Sequence, residues 1–336
     1  MKALVLHGLN DLRMEEVRRP EPGPDEVLIR TQAATICTSD LIDMRSNPFG
    51  IKLPIIMGHE GAGIVEAVGV QVRQFKPGDA VTAHPVIPCR RCASCRRGLG
   101  HLCDDMDHLG VYRNGVFAEY FTIRADRVRH KPDSLSFAQS TLMEPVSVCL
   151  EALERADVRA GRNVLVVGDG PFGVAIARLS LSRSPHSLVF VGRHDYRLGQ
   201  VPGACTINER TVDDIDEAIL RATDGEGVDS AVLAVGTSAA MDICMNALRS
   251  RGTVAVFSGI AGKTPVDLFK LHVKELQIHG CCNDMDMLDE ALAALCDEKC
   301  NLKSLITHEL PFDEWRKAID IAQNGKDAAL KVSMVF

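Results

Sequence analysis

No apolar run in this chain approaches the roughly 18 residues that a membrane span requires. The opening "MKALVLHGLNDLRMEE" breaks its short apolar stretch at His7 and offers no small-residue cleavage site, so a secretory signal is not expected. Positive charge is also scarce: 38 Lys and Arg stand against 45 Asp and Glu, for a net charge of −7. That balance gives nothing to attract nucleic acid or an anionic membrane. The basic cluster Arg90, Arg91, Arg96 and Arg97 reads as a solvated rim. With 336 residues, 46% of them hydrophobic and 25% charged, the composition is that of a soluble globular chain of about two domains at roughly 150 residues each. Such a chain buries its own cores without covalent staples. Its 12 cysteines therefore read as reduced thiols of a cytoplasmic protein.

Four of them form a pattern. In "CRRCASCRRGLGHLC", Cys89, Cys92, Cys95 and Cys103 have the spacing C-x2-C-x2-C-x7-C, with Gly98 and Gly100 freeing the longer gap to double back. Short gaps let one turn of backbone present several thiolates to one point, the requirement of a tetrahedral structural zinc. The C-x3-C-P ending of an iron–sulfur run is absent. Four thiolates leave no open coordination position, so chemistry must occur elsewhere and this site holds a lobe together. Cys149, Cys205, Cys244, Cys281, Cys282, Cys296 and Cys300 lie in apolar or helical contexts and read as small core residues.

Cys37 differs, because in "ATICTSDLI" an apolar run breaks into Thr38, Ser39 and Asp40, which can start a helix. Further on, "IIMGHEGAGIVEAVG" sets His59 and Glu60 among glycines, where backbone can approach closely. A third acid, Glu144, precedes Pro145 at the head of a helical pattern, so Pro145 reads as the first helical residue and Glu144 as its flank. A catalytic zinc takes three protein ligands and keeps one position open, and thiolate, imidazole and carboxylate are suitable donors. Adjacent residues in extended backbone point to opposite faces, so His59 and Glu60 reach one ion only through a bent loop. The expected ligands are therefore Cys37, His59 and Glu144, with Glu60 near enough to exchange in or to act from behind them.

The remaining sequence turns to a nucleotide. "RNVLVVGDGPFGVAIARLSLSR" is a β-branched run, then Gly168, Gly170 and Gly173 with Pro171 and Phe172 between them, then a helical pattern. In strand–turn–helix context these glycines permit the tight turn, the approach of a pyrophosphate and helix-on-strand packing. "SLVFVG", "AVLAVG", "GTVAVFSG" and "ELQIHG" continue the alternation, as a doubly wound parallel sheet requires. Cofactor contacts are expected also at Val235, Gly236, Ser258 and Gly259, in and after two of those runs. Where an NAD site places an acid, this chain has Gly192 and Arg193, with Arg197 one helical turn on. An arginine there accepts a 2′-phosphate, so NADP is favoured over NAD, although Asp195 lies close enough for a loop shift to bring it to the ribose.

With "GHEGAG", "KPGDAV", "FAEY" and "VVGDGPFG" in that order, the whole chain resembles the zinc-dependent medium-chain alcohol and polyol dehydrogenases. The Glu144–Pro145 pair resembles the branch of sorbitol, threonine and galactitol-phosphate dehydrogenases. The resemblance implies an α/β fold: a GroES-like β-rich catalytic domain over 1–147 with the zinc lobe at 89–103, a Rossmann nucleotide domain over 148–282, and a return segment over 283–336. It also implies two zinc ions per subunit, substrate and catalytic zinc in a cleft, a homodimer or homotetramer, and Ser39 as the hydroxyl that takes the proton of the reacting oxygen. Ser39 also reads as a cap of the helix it begins. The substrate expected is a polyol, sugar or cyclitol, with simple secondary alcohols as the alternative. A zinc-free quinone reductase would leave Cys37, His59 and the lobe without purpose, and a nucleotide-binding protein without turnover is the non-catalytic rival. The family often has histidine five residues after the zinc cysteine; here Ile42 cannot relay a proton, so release runs through ribose hydroxyls, Asp40 or solvent.

Overall fold

The structure, a computed structural model, describes residues 1–48 and 50–336, which form two compact units. The first comprises Met1–Ser147, Met285–Asp297 and Lys303–Phe336; the second comprises Val148–Asp284 and Glu298–Leu302.

The first unit is built on a seven-stranded sheet. Its path runs Val128–His130, Ala80–Ala83, Glu60–Val68, Glu26–Ile36, Lys331–Val335 and Ile306–Pro311, with Tyr120–Arg124 also pairing Glu26–Ile36. Strand Glu26–Ile36 is the organiser, since its apolar residues Val27, Ile29, Ala34 and Ile36 are all buried in the main cluster with Leu4, Phe117 and Phe121. Close strand approach depends on a missing side chain: a Cβ at Gly63 would lie 2.1 Å from the Arg30 carbonyl oxygen. Register then determines what meets at the end of this strand. Thr35 opposes Glu60, and Ile36 opposes Val332. Cys37, Glu60 and Lys331, distant in sequence, are thereby brought to one corner of the sheet.

The second unit is a six-stranded parallel sheet in the order Cys205–Asn208, Ser187–Gly192, Asn163–Val167, Val228–Leu233, Leu248–Val256 and Gln277–Gly280. "NVLVV" is buried at every position, the pattern of a strand covered on both faces. Strand order reverses beside Asn163–Val167, where open α/β sheets present their binding crevice. This is the doubly wound arrangement the alternation predicts.

Three local expectations need correction. Helix Met143–Arg155 starts one residue before Glu144, so Glu144 and Pro145 both lie in its first turn rather than Glu144 flanking it. The first turn of helix Thr38–Ser46 is closed by Asp40 rather than by Ser39: Asp40 Oδ2 accepts from the Cys37 N–H at 2.9 Å. Among the seven other cysteines, Cys149, Cys244 and Cys300 are buried, but Cys205 and Cys282 are exposed. Cys205 opens the edge strand of the parallel sheet and Cys282 lies in the loop after the opposite edge, where no layer covers them.

Candidate functional site

At the sheet corner in the first unit, the donor atoms of Cys37, His59 and Glu60 lie within 4.8 Å of one another, and all three residues are buried. Gly58, at φ +89°, supplies the bent loop that lets His59 and Glu60 face the same point. The turn is close-packed: a Cβ at Gly115 would lie 2.0 Å from the Gly58 carbonyl oxygen. Glu144 is buried nearby in the first turn of its helix, but it is not in the group whose donors share that 4.8 Å envelope. The carboxylate gathered with thiol and imidazole is thus Glu60.

Asp40 positions two of the three at once. Its Oδ2 accepts from the Cys37 amide, and its Oδ1 meets His59 Nδ1 at 3.0 Å. With Nδ1–H donating to the carboxylate, Nε2 keeps its lone pair for an electrophile. Burial pulls the His59 pKa down, but the charge and hydrogen bond of Asp40, with Cys37 helping, outweigh it, so the net direction is upward and a metal ion taking Nε2 must displace a proton from it. Asp43, on the same helix, is raised to about 6 by burial and then by repulsion from Asp40. His108 lies with its ring 5.7 Å from that of His59 and donates Nδ1–H to the Leu109 carbonyl. Burial, reinforced by His59, pushes it down to about 3, so it remains neutral.

Lys331 was not anticipated. It is 3% exposed, its ammonium is paired with Glu60 Oε1, and although burial opposes its charge, Cys37, Glu60 and Glu144 together raise its pKa. The sequence does hold a signal: in "ALKVSMVF" a lysine stands at an inward position of an apolar strand, where only a buried anion justifies it.

These donors fit a divalent cation. Glu60 Oε2 is fully buried and has no hydrogen-bond partner, a costly arrangement that a metal ion relieves. The lobe fits equally well. Cys89, Cys92, Cys95 and Cys103 also fall within 4.8 Å of one another, with Cys92–Cys103 and Cys89–Cys95 sulfur separations of 3.8 and 4.0 Å. A tetrahedron of Zn–S bonds near 2.3 Å requires sulfurs about 3.8 Å apart. Backbone N–H groups of Cys89, Cys92 and Cys95 point at the thiols of Cys103, Cys89 and Cys92. The N–H of Arg91 is foremost in drawing the Cys89 pKa down to about 6, while burial pushes the Cys95 thiol up to about 12, so Cys89 carries the thiolate most readily and Cys95 least. The arginines of the lobe are an exposed rim, with Arg91 pairing Asp105 at 2.7 Å.

In the second unit a cavity of about 280 Å³ opens at the carboxyl ends of the strands, lined among others by Gly168, Gly192, Arg193 and Val235. Gly168 has φ +118°, and a Cβ on Gly173 would lie 1.7 Å from its carbonyl oxygen, so both glycines are obligatory for the turn. Pro171 opens helix Pro171–Ser182, whose first turn leaves its amides for an anion, and the Phe172 ring packs 5.2 Å from Phe257. Gly236 approaches Gly259 so closely that a Cβ would lie 2.3 Å from the Gly259 carbonyl, while the Ser258 N–H bonds to the Leu233 carbonyl. Asp169 shapes the loop: its Oδ2 accepts from the N–H of Arg193, the N–H of His194 and His194 Nδ1. The Arg193 guanidinium pairs with Glu209, and Asp195 Oδ1 accepts from the Asn208 side chain at 2.6 Å. Arg197 lies in helix Asp195–Leu198 and is not among the lining residues. The glycine cradle and helix terminus fit a dinucleotide.

Residues 23–133 match the family described as alcohol dehydrogenase GroES-like domain, and residues 202–297 match zinc-binding dehydrogenase. A sorbitol dehydrogenase of Bombyx mori is 31% identical over 98% of this chain and 97% of its own length. The chain belongs to the zinc-dependent medium-chain dehydrogenases. As a member it is an oxidoreductase of the zinc-dependent, NAD(P)-using alcohol dehydrogenase type. An L-idonate 5-dehydrogenase of Vitis vinifera is 32% identical over 97% of this chain and 92% of its own. Among solved structures, a zinc-binding dehydrogenase of Sinorhizobium meliloti bound to NADP superposes with TM-score 0.92 at 26% identity, covering 100% of this chain and 99% of that one. Galactitol-1-phosphate dehydrogenase of Escherichia coli gives 0.90 at 25% identity, with both chains covered completely. The parallel sheet and the β-rich unit are thus the Rossmann and GroES-like folds expected. No helix among the described residues is long and apolar enough to cross a membrane.

Proposed function

We propose that this dehydrogenase oxidises a secondary alcohol of a polyol, sugar or cyclitol to the ketone, or runs the reverse, with NADP preferred to NAD. One observation carries the reading: a buried thiol, imidazole and carboxylate converge within 4.8 Å beside a buried lysine, in a chain with a separate four-cysteine lobe. The similar proteins named for sorbitol, idonate and galactitol phosphate support a hydroxyl-rich substrate. Gly192 and Arg193 at the end of their strand, and the NADP held by the similar Sinorhizobium structure, support the cofactor preference.

Cys37, His59 and one carboxylate would hold the catalytic zinc, Glu60 or Glu144 occupying the third position in exchange, and Cys89, Cys92, Cys95 and Cys103 would hold the structural one. When bound, the catalytic zinc supplies Lewis acidity toward the substrate oxygen and the nicotinamide exchanges hydride with the substrate carbon. The chain's own residues do the rest. Asp40 keeps His59 in the tautomer with a free Nε2 and ties it to the Cys37 backbone. Lys331 balances the charge of Glu60, so an anionic ligand set is tolerated in a buried corner. Ser39, two residues past Cys37 and half-buried, takes the hydroxyl proton and passes it to ribose hydroxyls or solvent, since Ile42, 46% exposed, has no group to relay it.

Residues 1–147 and 283–336 are assigned to substrate and zinc, and 148–282 to the nucleotide. The enzyme is assigned to the cytoplasm as a homodimer or homotetramer. The unpaired edge of strand Gln277–Gly280, with Leu268 and Phe269 exposed at 70% and 77%, supports self-association. A panel of polyols, sugar phosphates and simple secondary alcohols with both cofactors tests the reading, alongside zinc analysis. Two zinc ions per subunit and turnover highest on a polyol are expected. A lobe zinc alone, or no turnover on any alcohol, would overturn it.

A further inference from the structure

The nucleotide cavity carries an acid that the usual position lacks. Strand Ser187–Gly192 ends without a carboxylate, but the neighbouring parallel strand is in register with it, Gly192 opposing Asn208. The next residue, Glu209, donates its N–H to the Gly192 carbonyl at 2.9 Å, which places its side chain at the same cavity mouth. There Glu209 Oε1 pairs with Arg193 Nε, and among the described residues no hydrogen bond occupies Oε2. The Glu209 side chain is 19% exposed and that of Arg193 is 55% exposed, so the acid is the anchored partner and the arginine the movable one. Asp169, the other carboxylate of the cavity, already accepts three N–H bonds on one oxygen and is committed to shaping the loop.

We propose that Glu209 sets the NADP-to-NAD ratio of this enzyme: its carboxylate holds Arg193 back from a 2′-phosphate and offers an acceptor to bare ribose hydroxyls. The inference rests on the reading of Arg193 as the phosphate contact. A 2′-phosphate must either draw Arg193 off Glu209 or bind beside an uncompensated carboxylate, and both weaken NADP. A partly exposed ion pair is weak enough to break, so Glu209 moderates the preference without abolishing it. NAD gains in turn, because its ribose hydroxyls donate where the phosphate would be repelled.

Calorimetric titration of the zinc-loaded, full-length enzyme with NADP⁺ and with NAD⁺, without substrate, tests this. Glu209→Gln should raise the ratio of NADP⁺ to NAD⁺ affinity about five- to tenfold, the scale of one unit charge a few ångströms from another in a solvent-open site. In an Arg193→Ala background the same change should give a smaller rise, because only the repulsion of the phosphate and the lost ribose acceptor then remain. Glu209→Asp, which shortens the acid by one methylene, should give a smaller rise and serves if the Gln variant folds poorly. An unchanged or lowered ratio in both Glu209 variants would overturn the proposal, as would an equal rise with and without Arg193. Failure of the parent reading looks different: Arg193→Ala alone would then weaken both nucleotides equally.

Discussion

The two thiol-containing corners of this enzyme gather cysteine with different partners, and the contrast supports the proposal that chemistry takes place at only one. The lobe draws four like donors from one short stretch, with three of them half-exposed, and aims backbone N–H groups at three of the sulfurs. The sheet corner draws its thiol from the end of one strand and its imidazole and carboxylate from the start of the neighbouring one, buries all of them, and stabilises them with charged side chains, Asp40 and Lys331. A closed set of soft donors can only hold. A mixed set, flanked by groups that answer to protons and charge, can bind and release.

Breaking each corner should therefore have different consequences. Cys37→Ser is expected to lower turnover about a thousandfold or more. Zinc content should fall toward one per subunit, while NADP⁺ affinity by calorimetry and the melting temperature stay near wild type. Retained turnover would remove the catalytic assignment. Cys103→Ser should do the reverse. Losing one of four thiolates sacrifices part of the folding free energy that a structural zinc supplies, about 4 kcal/mol and roughly 10 °C in Tm. At temperatures where the variant is folded, turnover per molecule should be nearly unchanged. A Cys103→Ser variant that melts normally but is inactive would mean the lobe belongs to the site.

The third test addresses the buried ion pair. Lys331→Met strands the Glu60 carboxylate, which is fully buried, and should cost about 3 kcal/mol in urea unfolding. Adding Glu60→Gln should recover most of that loss, because a neutral amide needs no cation beside it. If the double variant is no more stable than the single one, Lys331 stabilises by packing its stem and the electrostatic account of the corner fails.

The same contrast sets what could be read from the chain. The lobe was legible because its ligands are local: spacing alone determines which sulfurs can meet, and no tertiary information is needed. The glycine turn at Gly168, Gly170 and Gly173 was legible for the same reason, strand and helix being adjacent in sequence. Cys37 and His59 stood out only through their turn and glycine contexts. That Glu60 gathers with Cys37 and His59 depends on the loop conformation at Gly58, which periodicity cannot give. Lys331 and Glu209 were missed because their partners are fixed by strand register, Ile36 against Val332 and Gly192 against Asn208, and register between distant strands is a property of the packed sheet. The exposed Cys205 and Cys282 mark a related limit, since an apolar context does not say whether another layer covers a strand end.

The smallest effect sharpens the contrast most directly, because it asks whether the sheet corner carries the strain of a buried carboxylate, a group the four-thiol cluster does not contain. Asp43 is 3% exposed, its Oδ1 has no hydrogen-bond partner, and burial with Asp40 nearby raises its pKa from 3.8 to about 6. The folded state therefore binds this proton more tightly than the unfolded chain does. Above about pH 6 the ionised carboxylate opposes folding, and the penalty is relieved as pH falls through 6 toward 3.8. Asp43→Asn should accordingly stabilise the enzyme by about 2 kcal/mol at pH 8. The gain should shrink at pH 5 and nearly vanish by pH 4, with urea unfolding at the three pH values as the measurement. A gain of equal size at all three would assign the effect to packing, and a loss at pH 8 would mean that the ionised Asp43 is itself part of the charge balance around His59.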